Sequence, residues 1–373
     1  MPDQELGYVR YFAELPDPRS DRTKKHSLHD ILGVTLCAVV CGADNFEEIE
    51  RFGQARAEVL RQFLPLPNGI PSHDTFNRVL SALDRKAFAA CFGRWMADLC
   101  EAKGVKPIAI DGKACRSAEG DTFSGCLHLV SAWATESGLI LGQEAVADGS
   151  HEITAIPELL KALDLRKSIV TIDAAGCQTA IVDQIRTQGG DYLVAVKGNQ
   201  PELLAAVEAA VARACEAEFA GCSTSESAES GHGRTDERYV TVIPKPKGIP
   251  AGWTDVRGVV VVHRERLVRG KSPTHTTHYY ITSSRAGAGT MAERVRGHWG
   301  VENGLHWCLD VSFGEDANRT RDKNAGANLG MVRRVAASLL KQDPKRGSIK
   351  AKRLTAAWDP GYLRQVLNGF KGN

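Results

Sequence analysis

Two aspartates stand where apolar, strand-like runs of the chain end. Asp111 closes the run in KPIAIDGK, and Asp173 closes the run in SIVTIDAAGCQ. A carboxylate at the end of an apolar strand is costly unless it is paired or binds a metal ion. Aspartates also commonly cap loops at strand ends, so neither residue alone decides between the two interpretations. Two such residues together favour a metal site.

A third carboxylate, Glu302, lies in a segment with helical periodicity. Thr290 and Glu293 form a T-x-x-E capping box, which marks the start of a helix. Steps of four and three residues place Glu302 on one stripe of a continuous helix, and we expect that stripe to be the apolar, buried face. Its members are Val295, Trp299, Glu302, His306 and Leu309. A carboxylate on a buried stripe needs a partner, and a metal ion held by the strand-end aspartates would serve.

The chemistry suited to these three carboxylates is metal-assisted phosphodiester displacement. Oxygen ligands with no thiol or imidazole beside the strand ends suit Mg²⁺ or Mn²⁺ rather than zinc. Two such ions activate a water or a hydroxyl and stabilise the leaving oxygen. We therefore predict a nuclease-like site with Asp111, Asp173 and Glu302 as metal ligands. Three nearby acids lie off the stripe or late in the segment and are predicted to be solvated or salt-bridged: Asp310, Glu315 and Asp316.

The elements that must position these residues form an α/β protein with a ribonuclease-H-like catalytic domain. Helical spacing extends to about Lys103, and short β-branched runs then alternate with helices in the order βββαβαβ. Three antiparallel strands followed by βαβ crossovers are typical of a ribonuclease-H-like sheet. We expect an exposed loop at residues 221–233, which are rich in Ser, Gly and Glu. The predicted segments are an N-terminal helical domain (1–104), the first part of the catalytic domain (105–199), a β-rich insertion (200–288), the second part with the Glu302 helix (289–342) and a basic C-terminal tail (343–373).

Composition excludes several classes of protein. With 373 residues, 43% hydrophobic and 25% charged, the chain is globular rather than disordered or fibrous. No apolar run reaches the roughly 20 residues of a membrane helix. Residues 1–18 are polar and do not resemble a leader, so we expect a cytoplasmic protein without a membrane partner. The ten cysteines are scattered without a CxxC pair, which predicts core thiols rather than a metal or disulfide framework.

The net charge of +2 conceals an uneven distribution. From Arg319 to the C-terminus, 13 Lys and Arg face three Asp, so this segment carries +10 and the rest of the chain carries −8. A basic segment of this kind is typical of proteins that bind a polyanion, and a solvated helical face with a charged end is the alternative. We expect no nucleotide cofactor, because Glu265 stands where a phosphate loop ending in Gly270-Lys271-Ser272 requires its first glycine.

Several motifs resemble those of one family. They are IAIDGK, TIDAAGCQ, LVAVKGNQP, GHGRTDER and the block RGHWGVENGLHWCLDVSFGEDANRTR, together with DPRSDRTKKHSLHDIL and GIPSHDTFNRVLSALD nearer the N-terminus. On these motifs, which span nearly the whole chain, the sequence resembles bacterial insertion-sequence DDE transposases, in the group that contains the H-repeat-associated proteins. The resemblance implies that Asp111, Asp173 and Glu302 are the DDE triad of a ribonuclease-H-like domain. It also implies that the N-terminal helical domain binds transposon ends.

The activity implied by this resemblance is cut-and-paste DNA transposition. Water activated by two Mg²⁺ or Mn²⁺ ions cleaves at the transposon ends, and the freed 3′ hydroxyl attacks target DNA. The implied partners are inverted-repeat DNA at the transposon ends, target DNA and a second copy of the chain in a synaptic homodimer, located on the nucleoid when DNA is bound. Two alternatives remain open: a catalytically inactive or domesticated DNA-binding protein, and a ribonuclease-H-like nuclease without strand transfer.

One departure from the family pattern concerns the residues around Glu302. The wider superfamily has a tyrosine seven and an arginine four residues before the glutamate and a lysine seven after it, where this sequence has Val295, His298 and Leu309. We expect residues of the HW and ENGLHW motifs to take over their role, although Trp299 also fits core packing. The predicted DNA contacts are Arg296, His298, Trp299, Asn303, Arg319, Arg321, Lys350, Lys352 and Arg353.

Overall fold

The N-terminal part of the chain is helical, as its periodicity predicts. A computed structural model describes residues 7–100, 106–115, 127–231 and 233–370, so the predicted boundary at residue 104 lies outside the described residues. Side chains of Ser27, Asn45 and Asp84 accept hydrogen bonds from backbone N–H groups in the first turns of three of these helices. The helices are α1 (Val9–Phe12), α2 (Leu28–Val40), α3 (Phe46–Ala55), α4 (Ala57–Leu60), α5 (His73–Ala82) and α6 (Arg85–Leu99), with a 3-10 turn at Asp21–Thr23.

The middle of the chain has the predicted element order βββαβαβ. In it β1 pairs in parallel with β4 and β4 with β5, whereas β2 and β3 are antiparallel. Parallel neighbours require crossover connections, and the helices between β3, β4 and β5 supply them. The elements are β1 (Lys106–Cys115), β2 (Leu127–Ala134), β3 (Leu139–Ala145), α7 (Glu152–Lys161), β4 (Ser168–Ile172), α8 (Thr179–Thr187) and β5 (Asp191–Val196).

The β-rich stretch extends the same sheet. Its elements are α9 (Pro201–Glu216), β6 (Ser223–Gly231), β7 (Arg234–Pro244), β8 (Gly258–Val268) and β9 (Thr274–Thr282). Strand β9 pairs antiparallel with β5, and the nine strands follow the order β3-β2-β1-β4-β5-β9-β8-β7-β6. The loop predicted for residues 221–233 is wrong, because β6 pairs with β7 from Ser223 to Gly231. Since β6 is the edge strand and its side chains are mostly exposed, its sequence lacks an apolar alternation.

The C-terminal part is helical to the end of the described residues. Its elements are α10 (Ala288–Val301), a π turn (Glu302–His306), α11 (Trp307–Phe313), a 3-10 turn (Glu315–Ala317), α12 (Lys323–Lys341), α13 (Ile349–Trp358) and α14 (Pro360–Leu367). The helix predicted to run continuously through Glu302 is therefore interrupted at that residue. The segment predicted as a basic tail forms α13 and α14, which pack on α2 and α12.

The chain divides into two compact units. The first consists of Met1–Glu101, Gly112–His151 and Glu302–Asn373, and the second of Ala102–Asp111 and Glu152–Val301. In the first unit, α12 is buried along its length and contacts α2, α5, α6, β2 and β3. In the second unit, α10 packs on β4, β6, β7 and β8. The helical N-terminus, the β2-β3 hairpin and the C-terminal helices, which we predicted as parts of different segments, thus belong to one unit. No helix among the described residues is long and apolar enough to cross a membrane.

Candidate active site

Strand pairing in the second unit brings Asp111 and Asp173 to neighbouring positions. Ile110 of β1 is the register partner of Ile172 of β4, and the two strands are parallel. Each aspartate directly follows one of these paired isoleucines, so the two residues lie side by side where β4 ends. Both are half-buried, whereas the isoleucines before them are buried. The two aspartates are therefore neighbours, as predicted, but only Asp173 follows the end of its strand. Asp111 lies inside β1, which continues to Cys115.

A tight turn after β4 orients the Asp173 carboxylate. The backbone N–H of Gly176 donates a hydrogen bond to Asp173 Oδ1 at 3.2 Å. A Cβ at Gly176 would lie 2.4 Å from Cγ2 of Ile172 and 2.9 Å from Cδ1 of Ile156. Only glycine permits this close approach of the turn to the core. The DAAG sequence is thus explained by the backbone that follows the aspartate.

His298 of α10 packs against β4 beside Asp173. Its Nδ1 lies 3.0 Å from the hydroxyl oxygen of Thr171, two residues before the aspartate. Burial lowers the pKa of His298, and the nearby Asp173 carboxylate opposes that shift only in part. The residue is half-buried and its Nδ1 contacts Thr171, so a packing role is better supported for His298 than the predicted DNA contact. It instead fixes α10 on the strand that carries Asp173.

Glu302, in the first unit, opens the π turn and is exposed. The buried positions around it are Val301 and Leu305, with Leu309 further on. The π turn holds more residues than an α-helical turn, so the residues after it are shifted out of the stripe that the periodicity had drawn through Val295, and Glu302 itself is exposed rather than buried. That part of the prediction is wrong. Single π turns inside helices are rare and occur frequently at functional sites.

Lys341 of α12 holds the π turn from the core side. Its ammonium donates a hydrogen bond to the Gly304 carbonyl at 2.6 Å and lies 5.2 Å from the ring centroid of Trp133. Burial lowers the pKa of Lys341. A Cβ on Gly304 would lie 2.8 Å from Cη2 of Trp133, so the ENG motif has its glycine where the indole packs. The sequence contains no signal for this lysine, because it is 39 residues from Glu302 in the chain.

A second buried lysine, Lys113, was also missed by sequence reasoning. It lies on β1 two residues after Asp111, within the first unit, and contacts Asp310 and Asp316 at 2.7 Å each. Burial lowers its pKa, but the hydrogen bonds to Asp310 and Asp316 outweigh that effect, so the pKa is raised. The third acid, Glu315, is buried and pairs with Arg334. The prediction that these three acids are salt-bridged rather than catalytic agrees with these contacts.

Several cations of the basic C-terminal segment are internal. Arg353 is buried and donates to the Val39 carbonyl and to Asp44 Oδ1, each at 2.9 Å. Lys352 is largely buried and donates to the carbonyls of Leu340 and Asp343. Because these donors are already used inside the protein, we withdraw Arg353 and Lys352 from the predicted DNA contacts. Arg333 and Arg334, which contributed to the charge of the segment, are also fully buried.

The remaining predicted DNA contacts are accessible, with one exception. The exposed residues are Arg296, Asn303, Arg319, Arg321 and Lys350. Arg319 and Arg321 line a cleft of about 840 Å³ in the first unit, together with the N-terminal turn of α3. The exception is Trp299, which is half-buried against the apolar cluster under α10 and lies 5.2 Å from the His278 ring. For Trp299 the packing alternative is thus the better supported one.

The pair Asp111 and Asp173 fits a hard divalent cation. Among the described residues, no group of three or more His, Cys, Asp or Glu side chains is arranged to hold a metal ion. Mg²⁺ does not require such a group, because it keeps several waters and is usually held by one or two carboxylates plus substrate phosphates. Asp111 of β1 and Asp173, which directly follows β4, supply two such neighbouring carboxylates, so the donor set fits Mg²⁺ or Mn²⁺.

These features define a mixed α/β protein whose candidate site is a pair of neighbouring carboxylates, one within β1 and one directly after β4. The family model described as "Transposase DDE domain" matches residues 77–339, and the model described as "DDE_Tnp_1-associated" matches residues 9–96. The chain belongs to the DDE transposases of bacterial insertion sequences.

Relatives of similar length support this assignment. The "Putative transposase YncI" of Escherichia coli O157:H7 is 39% identical over 96% of this chain and 93% of its own length. The "H repeat-associated putative transposase YhhI" of Escherichia coli K12 is 37% identical over 97% of both chains. Among solved structures, a piggyBac transposase synaptic complex with hairpin DNA matches with a TM-score of 0.40 and 9% identity, over 96% of this chain and 77% of that one. The family resemblance read from the motifs is confirmed by the family models and the relatives.

Proposed function

We propose that this chain catalyses transposition of an insertion sequence by cutting DNA at the transposon ends and joining the freed ends to target DNA. The observation that carries this proposal is the β1-β4 register, which sets Asp111 beside Asp173 in a member of the DDE transposases. The strand order β3-β2-β1-β4-β5 supports a ribonuclease-H-like catalytic domain, which β6 to β9 extend. Strand transfer distinguishes this function from that of a simple nuclease.

In this proposal Asp111, Asp173 and Glu302 hold two Mg²⁺ or Mn²⁺ ions. The ions, when bound, supply a nucleophilic oxygen at neutral pH and stabilise the leaving 3′ oxygen. The chain itself positions the metal-binding carboxylates. Strand pairing fixes the two aspartates, and the Gly176 N–H orients one of them. Lys341 fixes the backbone of the turn that begins at Glu302.

The proposed macromolecular partners are inverted-repeat DNA at the transposon ends, target DNA and a second copy of the chain. Synapsis of two transposon ends implies at least two copies of the chain, so the synaptic complex is proposed to be a homodimer, and the DNA-bound protein is proposed to lie on the nucleoid. Of the predicted phosphate contacts, the exposed cations Arg296, Arg319, Arg321 and Lys350 are retained. Exposed cations that are free to approach DNA add affinity through counterion release.

The proposal is tested with Asp111→Asn, assayed for cleavage of a labelled transposon-end duplex and for binding to the same duplex. We expect cleavage to be abolished, because the amide cannot replace the metal-binding carboxylate. We expect the affinity to stay within about twofold, because phosphate anchoring and metal activation are separate contributions.

A matched control is Asp164→Asn, which removes an exposed carboxylate of the same unit that pairs with Arg166. This variant should cut at the wild-type rate. Cleavage by Asp111→Asn at that rate would overturn the assignment of the site. A wild-type protein that binds transposon ends without cutting them in Mg²⁺ or Mn²⁺ would favour the inactive DNA-binding alternative.

A further inference from the structure

The strands β6 to β8 carry opposite charges on their two faces. Side chains alternate between faces along a strand, and the face under α10 is identified by Val240 and Val262, which pack against that helix. Continuing outward in steps of two, this face carries the arginines Arg234, Arg238, Arg264 and Arg266. The other face carries the acids Glu226, Glu237 and Glu265. Glu237 pairs in register with Glu265, and Glu226 pairs with the residue two positions after Glu237.

The arginines on the α10 side outnumber the acids that hold them. Asp236, which is buried, lies 2.8 Å from Arg264, 2.7 Å from Arg266 and 3.5 Å from Arg234. One carboxylate among three guanidinium groups leaves a local charge of +2. Such a cluster is unfavourable in isolation, and an additional anion would relieve it.

A second acid on this face is shared in the same way. Glu229 of β6 pairs with Arg238 at 3.3 Å and with Arg296 of α10. The five arginines together face two acids, so this group, which we call the basic face, carries +3. The basic face is defined by Arg234, Arg238, Arg264, Arg266 and Arg296.

The guanidinium groups of the basic face are held in place but not enclosed. The side chains of Arg234, Arg266 and Arg296 are 52%, 34% and 60% exposed. A guanidinium has five N–H donors in a planar fork, and pairing with one carboxylate leaves others free for a second oxyanion. Arg264 is the most enclosed of the five, and it lies 5.7 Å from the Trp299 ring centroid. Pairing with Asp236 therefore pre-orients the cations instead of neutralising them.

We propose that the basic face binds backbone phosphates of duplex DNA. This rests on the proposed function in one respect, namely that the chain binds DNA, and it adds a surface that sequence reasoning did not identify except for Arg296. The spacing suits phosphates, because arginine forks bind phosphate oxygens in pairs. The acidic opposite face repels the same polyanion, so the sheet binds DNA on one side only.

The test is the salt dependence of binding by Arg234→Ala/Arg266→Ala. It is measured in EDTA, with a transposon-end duplex and with a short duplex of unrelated sequence. We expect weaker binding to both duplexes alike, because phosphate contacts carry no sequence information. The plot of log affinity against log salt should flatten by about two units, at about 0.9 per lost phosphate contact.

The matched control is Lys161→Ala/Arg166→Ala, which removes two exposed cations from the same unit away from the basic face. Its slope should equal that of the wild type. The proposal is overturned if the Arg234/Arg266 variant keeps the wild-type slope, or if the control loses as much.

Arg264 still pairs with Asp236 in the double variant, so we expect it to fold. If thermal unfolding shows that it does not, Arg296→Ala serves instead, and an unchanged slope in that variant overturns the proposal. Since binding is measured without metal, the result does not depend on the carboxylate site. If Asp111→Asn still cleaved DNA, the proposal for the basic face would be unaffected. If the Arg234/Arg266 variant kept the wild-type salt slope, the assignment of the carboxylate site would be unaffected.

Discussion

The arginines of the C-terminal helices and those of the strands β7 and β8 are used in opposite ways. In the first unit, Arg334 and Arg353 are buried, and each meets a carboxylate and backbone carbonyls that use its donors. In the second unit, Arg234 and Arg266 crowd around one aspartate that Arg264 already pairs with, and both remain partly exposed.

The comparison shows that net charge along a segment does not locate a polyanion-binding surface. The C-terminal segment has the largest excess of cations in the sequence, yet several of them are internal ion-pair partners and helix-packing residues. The strand extension has a smaller excess, but its cations are gathered on one face with too few acids. What decides the function of a cation is the number of acceptors within reach, and that number is a property of the fold.

The largest expected effect comes from breaking a buried pair in the first unit. In Arg334→Ala, Glu315 stays buried but loses its ion-pair partner, with Lys113 3.9 Å away. Removing one partner of a buried ion pair typically costs about 3–5 kcal/mol, so we expect the free energy of unfolding to fall by about that amount in urea titrations. DNA affinity per folded molecule should stay unchanged.

The control for this prediction is the double variant Arg334→Met/Glu315→Leu, which removes both charges. It should recover most of the lost stability, because a buried pair replaced by apolar groups is often neutral. If Arg334→Ala unfolds at the wild-type urea concentration, the buried arginines of the first unit do not stabilise the fold through their ion pairs.

A smaller effect is expected from Lys341→Met, which removes an ammonium that donates to a backbone carbonyl. The change leaves the Gly304 carbonyl without its ammonium donor, and an unsatisfied buried acceptor costs about 1–3 kcal/mol. Relief of the buried charge offsets part of that cost. We expect faster hydrogen exchange of the backbone amides in the π turn Glu302–His306, measured by mass spectrometry. Exposed Lys345→Met is the control, and equal exchange in both variants would show that Lys341 does not hold the turn.

The smallest effect concerns His298, a potential cation that burial keeps neutral. Its pKa in the folded protein lies below the ordinary value of 6.5, so the unfolded chain takes up its proton first as the pH falls. Stability contributed by the neutral ring is present above about pH 6.5 and is lost below it. The free energy of unfolding should therefore fall more between about pH 7.5 and about pH 5.5 in the wild type than in His298→Asn. An identical fall in both proteins would contradict the burial argument.

Much of the fold follows from local patterns in the sequence. The apolar parts of β1 and β4 were predicted from their β-branched runs, although β1 continues past Asp111 to Cys115, and the order βββαβαβ follows from the change in period near Lys106. Strand β6 was missed because an edge strand needs no apolar alternation, and its pairing with β7 is made by the backbone.

The surroundings of the site were harder to predict, because they depend on contacts distant in sequence. Glu302 opens a π turn, which steps of three and four cannot reveal, and Lys341 and Trp133 pack on Gly304 within that turn. Lys113 gives no sign in the sequence of being buried, since its acids lie about two hundred residues later. Conversely, the clustered arginines around Asp236 require the register of β7 with β8.

The central claim is that Asp111, Asp173 and Glu302 hold one metal site. The most direct measurement is iron-directed cleavage of the polypeptide, in which Fe²⁺ takes the place of Mg²⁺ and, with added hydrogen peroxide and ascorbate, generates hydroxyl radicals that cut the backbone next to the bound ion. We predict cuts near all three residues, suppressed by excess Mg²⁺ and absent in Asp111→Asn. Cuts near Asp111 and Asp173 without any near Glu302, or cuts that Mg²⁺ does not suppress, would contradict the proposed triad.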